Sequence, residues 1–150
     1  MAIFRNLERR WINRVINPAV VALLRRGLGP PTYALIETTG RVSGEPRVAP
    51  VANGLNGDTF WFFADLGERA SFVRHLTANP RVRVLAKPTR VREGWHSQWR
   101  TGTAVPQPHD DAWDRHGHLA RGRPLYRLDG LFLRHLAAGR PPVTIRVDLD

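Results

Sequence analysis

The segment Thr38-Thr39-Gly40-Arg41-Val42-Ser43-Gly44-Glu45-Pro46-Arg47 concentrates the residue types that hold an anion. Two glycines allow a tight turn whose N–H groups converge on one spot, a cradle for negative charge. Arg41 and Arg47 flank it, and a guanidinium grips phosphate or carboxylate in a planar fork. Thr39 and Ser43 add hydroxyls. The same residues also describe an ordinary polar hairpin loop, and the glycine spacing matches neither a Walker loop nor a dinucleotide fingerprint. On residue chemistry alone the two readings stand level.

Other chemistry is thinly supplied. His109, Asp110, Asp111, His116 and His118 lie close in sequence, but His116 and His118 are two apart and point to different faces of a helix. Shared metal ligation is therefore awkward, and no metal is expected. Ser43, Ser71 and Ser97 lack a nucleophile-elbow pattern, so Ser43 is better used as an anion contact. Tyr126 is the one candidate catalytic side chain, its hydroxyl a possible donor to a substrate carbonyl or nitro group. Its competing role is a half-buried structural tyrosine.

The elements that must position these residues follow from periodicity. Phe4, Leu7, Trp11, Ile12, Val15 and Ile16 recur at helical spacing with arginines between them, Pro18 interrupts, and Ala19 to Arg26 reads as a second helical piece ending at Gly27. Strands are expected at Tyr33–Thr38, Arg47–Asn53, Thr59–Ala64, Arg81–Ala86, Trp95–Val105 and Val143–Val147, with Asn56-Gly57 a hairpin turn. Glu68–Ala78, Asp110–Ala120 and Leu125–Ala138 read as helices. Phe60 and Phe62 share one strand face and Trp61 and Phe63 the other, so at least one pair belongs to a core. Six strands joined mostly by hairpins predict a mainly β chain with flanking helices, an α+β fold built on a small antiparallel barrel.

Composition sets the limits. The 150 residues are 42% hydrophobic and 9% aromatic, enough for one domain, and we draw no boundary within 1–150. There is no cysteine, which excludes a disulfide framework, a thiolate metal site and a cysteine nucleophile. No apolar run is long enough for a membrane span, and arginines break up any signal-peptide core, so a cytoplasmic protein is expected. Of the 23 basic residues Lys87 is the only lysine, leaving 22 arginines in a net charge of +10. The basic amphipathic arm at 1–28 suits either packing on its own domain or peripheral contact with an anionic inner membrane face.

Thr38-Thr39-Gly40-Arg41-x-Ser43-Gly44-x-x-Arg47-x-x-Pro50 resembles the signature of the deazaflavin-dependent nitroreductase family, a branch of the flavin/deazaflavin oxidoreductases. Phe72-x-x-His75-Leu76-x-Ala78-Asn79-Pro80-x-Val82 and Trp99-Arg100-Thr101-Gly102-Thr103-Ala104 resemble that family's following blocks. The resemblance covers about Leu35 to Val105. It implies a split β-barrel of the FMN-binding kind, with an N-terminal helical arm, and reduced coenzyme F420 as hydride donor. It places the coenzyme's anionic tail near Arg41, Val42, Ser43, Gly44 and Arg47. Ala49, Pro50, Ala64 and Asp65 are implied along the ring. Phe72 and His75 stand where relatives often have Trp and Asn, and the loop at Asp65 to Arg69 is shortened, with Arg69 or Arg74 as replacement anion contacts.

A phosphodiester with several carboxylates suits an arginine-rich turn, and hydride transfer from a deazaflavin asks little acid–base help of the protein. The expectation is an F420-dependent oxidoreductase that reduces an electron-poor small molecule (a quinone, an enone or a nitroaromatic), as monomer or homodimer. The rivals are an FMN-binding reductase on the same barrel, a non-enzymatic F420- or lipid-binding protein, and a basic nucleic-acid-binding module. The dispersed arginines and the absence of a recognised nucleic-acid motif argue against the last.

Overall fold

Alternating burial along Thr59-Phe60-Trp61-Phe62-Phe63-Ala64 and Arg81-Val82-Arg83-Val84 shows why these segments are strands: every second side chain enters one core. The computed structural model describes residues 17–28, 32–64, 71–86, 99–137 and 142–150. Among them lie β1 (Tyr33–Thr39), β2 (Pro46–Ala52), β3 (Gly54–Asn56), β4 (Thr59–Ala64), β5 (Arg81–Leu85), β6 (Trp99–Gln107) and β7 (Val143–Leu149). The helices are α1 (Asn17–Arg25), α2 (Ser71–Ala78), α3 (Ala112–Leu119) and α4 (Pro124–Ala137). The strands form one antiparallel sheet in the order β2-β1-β5-β6-β7-β4-β3. β2 curls back towards β4, giving a half-barrel.

The inner face carries the main core: Ala34, Ile36, Phe60, Phe62, Val82, Val84, Ile145 and Val147, closed by Val73 and Leu76 of α2. Phe60 and Phe62 are fully buried, and burial of each contributes about 1.5–3 kcal/mol. On the outer face α1 sets Leu24 against Leu35 and Leu85, with Tyr33, Val48 and Trp99 around them. α1 ends where expected: Gly27 has φ +73°, its N–H donates to the Leu24 carbonyl, and the Leu28 N–H donates to that of Leu23. This pair of bonds is the Schellman arrangement that a left-handed glycine permits.

The sheet holds seven strands rather than the six expected, because the run after β2 divides at Asn53. That side chain is fully buried. Its N–H donates to the Thr32 carbonyl at 2.7 Å, and its Oδ1 accepts from the Leu55 N–H at 3.2 Å. Gly54 follows with no room for a side chain, since a Cβ would fall on the Trp61 carbonyl across the pair. Residues 1–16 of the N-terminal arm lie outside the described residues, as do 65–70 and 95–98 at the starts expected for a helix and a strand.

Candidate functional site

The β1–β2 turn is built around Gly40. Its N–H donates to the Glu45 carbonyl at 2.8 Å, and its carbonyl accepts from the Gly44 N–H at 2.9 Å. Gly44 adopts φ +70°, a conformation that favours glycine. A Cβ on Gly40 would stand 2.6 Å from Ser43 Oγ and 3.3 Å from Arg47 Nε. The bare Cα is thus what lets this hydroxyl and this guanidinium approach the same point. Ser43 Oγ also accepts from the Glu45 N–H at 3.2 Å. Residues 41–47 are exposed, Val42 to 88%. Among the described residues the Val42 and Ser43 amides have no acceptor.

The arginines fall into two groups. Arg81 pairs with Asp150, Arg83 with Glu37, Arg100 with Asp58, Arg115 with Asp110 and Arg146 with Asp148. The Arg83 hydrogen bonds hold the Glu37 carboxyl below its ordinary range, and those of Arg115 do the same for Asp110. Arg123 donates to the Asn53 carbonyl at 2.8 Å, and its burial lowers its pKa. Arg41, Arg47 and Arg74, like Arg25, Arg26, Arg121 and Arg127, form no ion pair among the described residues. An exposed guanidinium without an internal partner is free to meet an external anion.

His75 joins α2 to this turn. Its Nδ1 accepts the Arg41 N–H at 3.1 Å across 34 residues of sequence, which fixes Arg41 relative to the helix that plugs the barrel. Asparagine carries an acceptor oxygen at nearly the position of Nδ1. His75→Asn is therefore expected to keep F420 affinity near wild type, whereas His75→Leu should lose about 1 kcal/mol of it. Equal affinities in a coenzyme titration of the two variants would remove this role.

The other residues named from sequence distribute as follows. Across β1 and β2, Arg47 faces Thr38, whose buried Oγ1 has no hydrogen-bond partner among the described residues. Ala49 lies on the same strand face as Arg47 and packs on the core, while alternation puts Pro50 on the opposite face. Ala64 ends β4 within the core, and Phe72 lies one turn before His75 on α2. Asp65 and Arg69 lie outside the described residues.

Tyr126, the candidate catalytic side chain, is a buried residue. It is fully buried on the outer side of the sheet, its ring 4.7 Å from that of His116 and beneath the Arg123 guanidinium at 4.4 Å. Its burial and its ring contacts favour a packing role. Tyr126→Phe should accordingly leave kcat for quinone reduction within about twofold, against the 10²–10⁴ typical of a lost general acid. A drop of that larger size in F420 turnover would restore the catalytic assignment.

Sequence reasoning did not find His116 as a buried residue or Arg123 as a tether to Asn53. Both depend on contacts between segments far apart in sequence, and no local pattern announces them.

Similar folds are known among split-barrel proteins. An F420-H2 dependent reductase, FDR-A, is 19% identical with a TM-score of 0.52, over 77% of this chain and 93% of that one. A structure described as a domain-swapped dimer gives 16% and 0.54, over 95% and 97%. HutZ, a heme storage protein from Vibrio cholerae, gives 14% and 0.51, over 89% of each chain. These likenesses define the fold class, a split-barrel half-barrel. A comparison with curated proteins gives no match. The family model for F420H(2)-dependent quinone reductase matches residues 8–122, and the chain belongs to that family. It is an oxidoreductase that depends on F420. No helix among the described residues is long and apolar enough to cross a membrane.

Proposed function

We propose that the β1–β2 turn holds the anionic tail of F420 through Arg41, Arg47, Ser43 and the amides of Val42 and Ser43. The observation that carries this reading is the turn itself: the Ser43 hydroxyl and the Arg47 guanidinium converge beside Gly40, the Val42 and Ser43 amides have no acceptor among the described residues, and neither arginine on the turn meets a carboxylate or an aromatic ring there. The groove that Gly40 leaves open, which a Cβ would fill, fits an anion seated between hydroxyl and guanidinium. Bound there, reduced F420 supplies a hydride to an electron-poor acceptor, of which a quinone is the first choice.

The protein's own contribution is placement. Arg41 and Arg47 neutralise the tail, His75 holds the Arg41 backbone, and Gly44 gives the turn its left-handed step. Ala49 and Ala64 offer small side chains on the inner face beside which a flat ring can lie, and the family resemblance adds Asp65, Phe72 and Pro50 to the residues near it. Positioning a donor and an acceptor in near-attack geometry accounts for much of the rate in such a reaction, which asks little proton transfer of the protein.

We read residues 1–150 as one domain, working as monomer or homodimer, with peripheral contact between the arm at 1–28 and an anionic membrane face on the cytoplasmic side. The reading is tested by titrating the full chain with F420, FMN and a short oligonucleotide at one stated salt concentration. Binding should rank F420 first, and reduced F420 should be oxidised by menadione only when protein is present. Tighter FMN binding would transfer the site to the flavin, and binding without turnover would make the protein a carrier.

A further inference from the structure

We propose that the outer face of α4 seats the protein on an anionic lipid surface. Leu125, Leu128 and Leu131 are 58%, 60% and 62% exposed. At 3.6 residues per turn they fall within an arc of about 120°. The opposite face of the same helix buries Tyr126 and Gly130 against His116. A helix that packs on its domain through one face ordinarily presents polar residues on the other. This one presents three leucines there instead.

Charge decides what covers the stripe. Arg127 and Arg134 are exposed along one flank of it, and Arg121 is exposed just before the helix. Neither Arg121 nor Arg127 has a carboxylate partner among the described residues. A second copy would bring another chain of net charge +10 against this face, adding repulsion beside the apolar seam. An anionic bilayer turns the same arginines into attraction while taking the leucines out of water, which is how interfacial amphipathic helices bind. The end of α1 repeats the combination on a smaller scale, with Leu23 45% and Leu28 57% exposed beside the exposed Arg25 and Arg26. The surface on α4 deepens the quinone-reductase reading, and rests on it only in naming a lipid-dissolved acceptor as the substrate met there.

The test is co-sedimentation of the full chain with vesicles of equal parts phosphatidylglycerol and phosphatidylcholine, against phosphatidylcholine alone. Leu128→Glu, and separately Leu125→Gln with Leu131→Gln, are compared with wild type. Wild type should pellet with the anionic vesicles at low salt and be released as salt rises. Each variant should lose about tenfold or more in partitioning, while reduction of menadione in solution stays unchanged. If Leu128→Glu disturbs folding, seen as lost F420 binding, the double glutamine variant decides. Wild-type partitioning in the folded variants overturns the proposal, as does indifference of the wild type to anionic vesicles. A concentration-dependent dimer that the variants abolish would assign the face to a second copy instead. Vesicle binding through this face without turnover of menadione would leave the surface standing and sink the reductase reading.

Discussion

Alanine at either Arg41 or Arg47 is expected to weaken F420 binding by about 1.5–3 kcal/mol, the scale of a hydrogen bond to a charged group. The effect should fall on binding because neither guanidinium has a carboxylate partner within the described residues, and both are exposed. Arg83→Ala provides the contrast. That side chain spans to Glu37 with two 2.8 Å hydrogen bonds, so its loss should touch stability slightly and coenzyme affinity not at all. Lysine at position 41 or 47 keeps the charge without the fork and should give an intermediate loss. The Arg41→Ala/Arg47→Ala double variant should show the largest loss, and wild-type affinity should fall with salt as exposed charges are screened. A fluorescence titration measures all of these. Unchanged affinity in both folded alanine variants would move the anion site elsewhere.

Much of the fold was legible because strands declare themselves locally. Alternation gave β1, β4, β5 and β7 close to their observed limits, Asn56-Gly57 made the turn expected of it, and Gly27 stopped α1. Each of those signals lies within a few residues of the feature it produces. The closure of the sheet, the separate strand at Gly54–Asn56 and the position of each helix depend on contacts between distant segments. The anion turn shows both cases at once: its glycines and arginines could be picked out by residue type, but the hydrogen bond from Arg41 to His75 needs α2 folded against β1. Tyr126 illustrates the converse. Its hydroxyl suggested chemistry, whereas its burial and its ring contacts with His116 and Arg123 emerge only in the fold. In α4, apolar periodicity marked a helix correctly while concealing that Leu125, Leu128 and Leu131 face solvent.

The α3–α4 hairpin should respond to Gly130→Ala with a change whose sign depends on His116. A Cβ at 130 would stand 2.7 Å from Nδ1 and 2.9 Å from Nε2 of that imidazole. The ring is poorly placed to yield, being buried between Tyr126 and Phe63 at centroid distances of 4.7 and 5.7 Å. Overpacking of this kind costs roughly 1–3 kcal/mol, against about 1 kcal/mol gained from replacing glycine inside a helix. The collision wins, and a net loss of up to about 2 kcal/mol is expected by chemical denaturation. With His116→Ala in the background the ring is gone, and the same substitution should become neutral or stabilising by up to about 1 kcal/mol. Additive effects in this cycle would refute the contact. The same histidine sets a pH signature. Burial, reinforced by Arg134 and Arg123, lowers its pKa below the ordinary value of 6.5. As pH falls below 6.5 the unfolded chain takes up a proton that the folded one resists, so stability is full above that value and declines below it. The shifted carboxyls of Glu37, Asp110 and Asp150 titrate below their ordinary values of 4.5, 3.8 and 3.8, which leaves the interval between about pH 6.5 and 5 to the histidines. His116→Ala should flatten the fall of Tm across that interval, and an undiminished slope in the variant would assign it to another group.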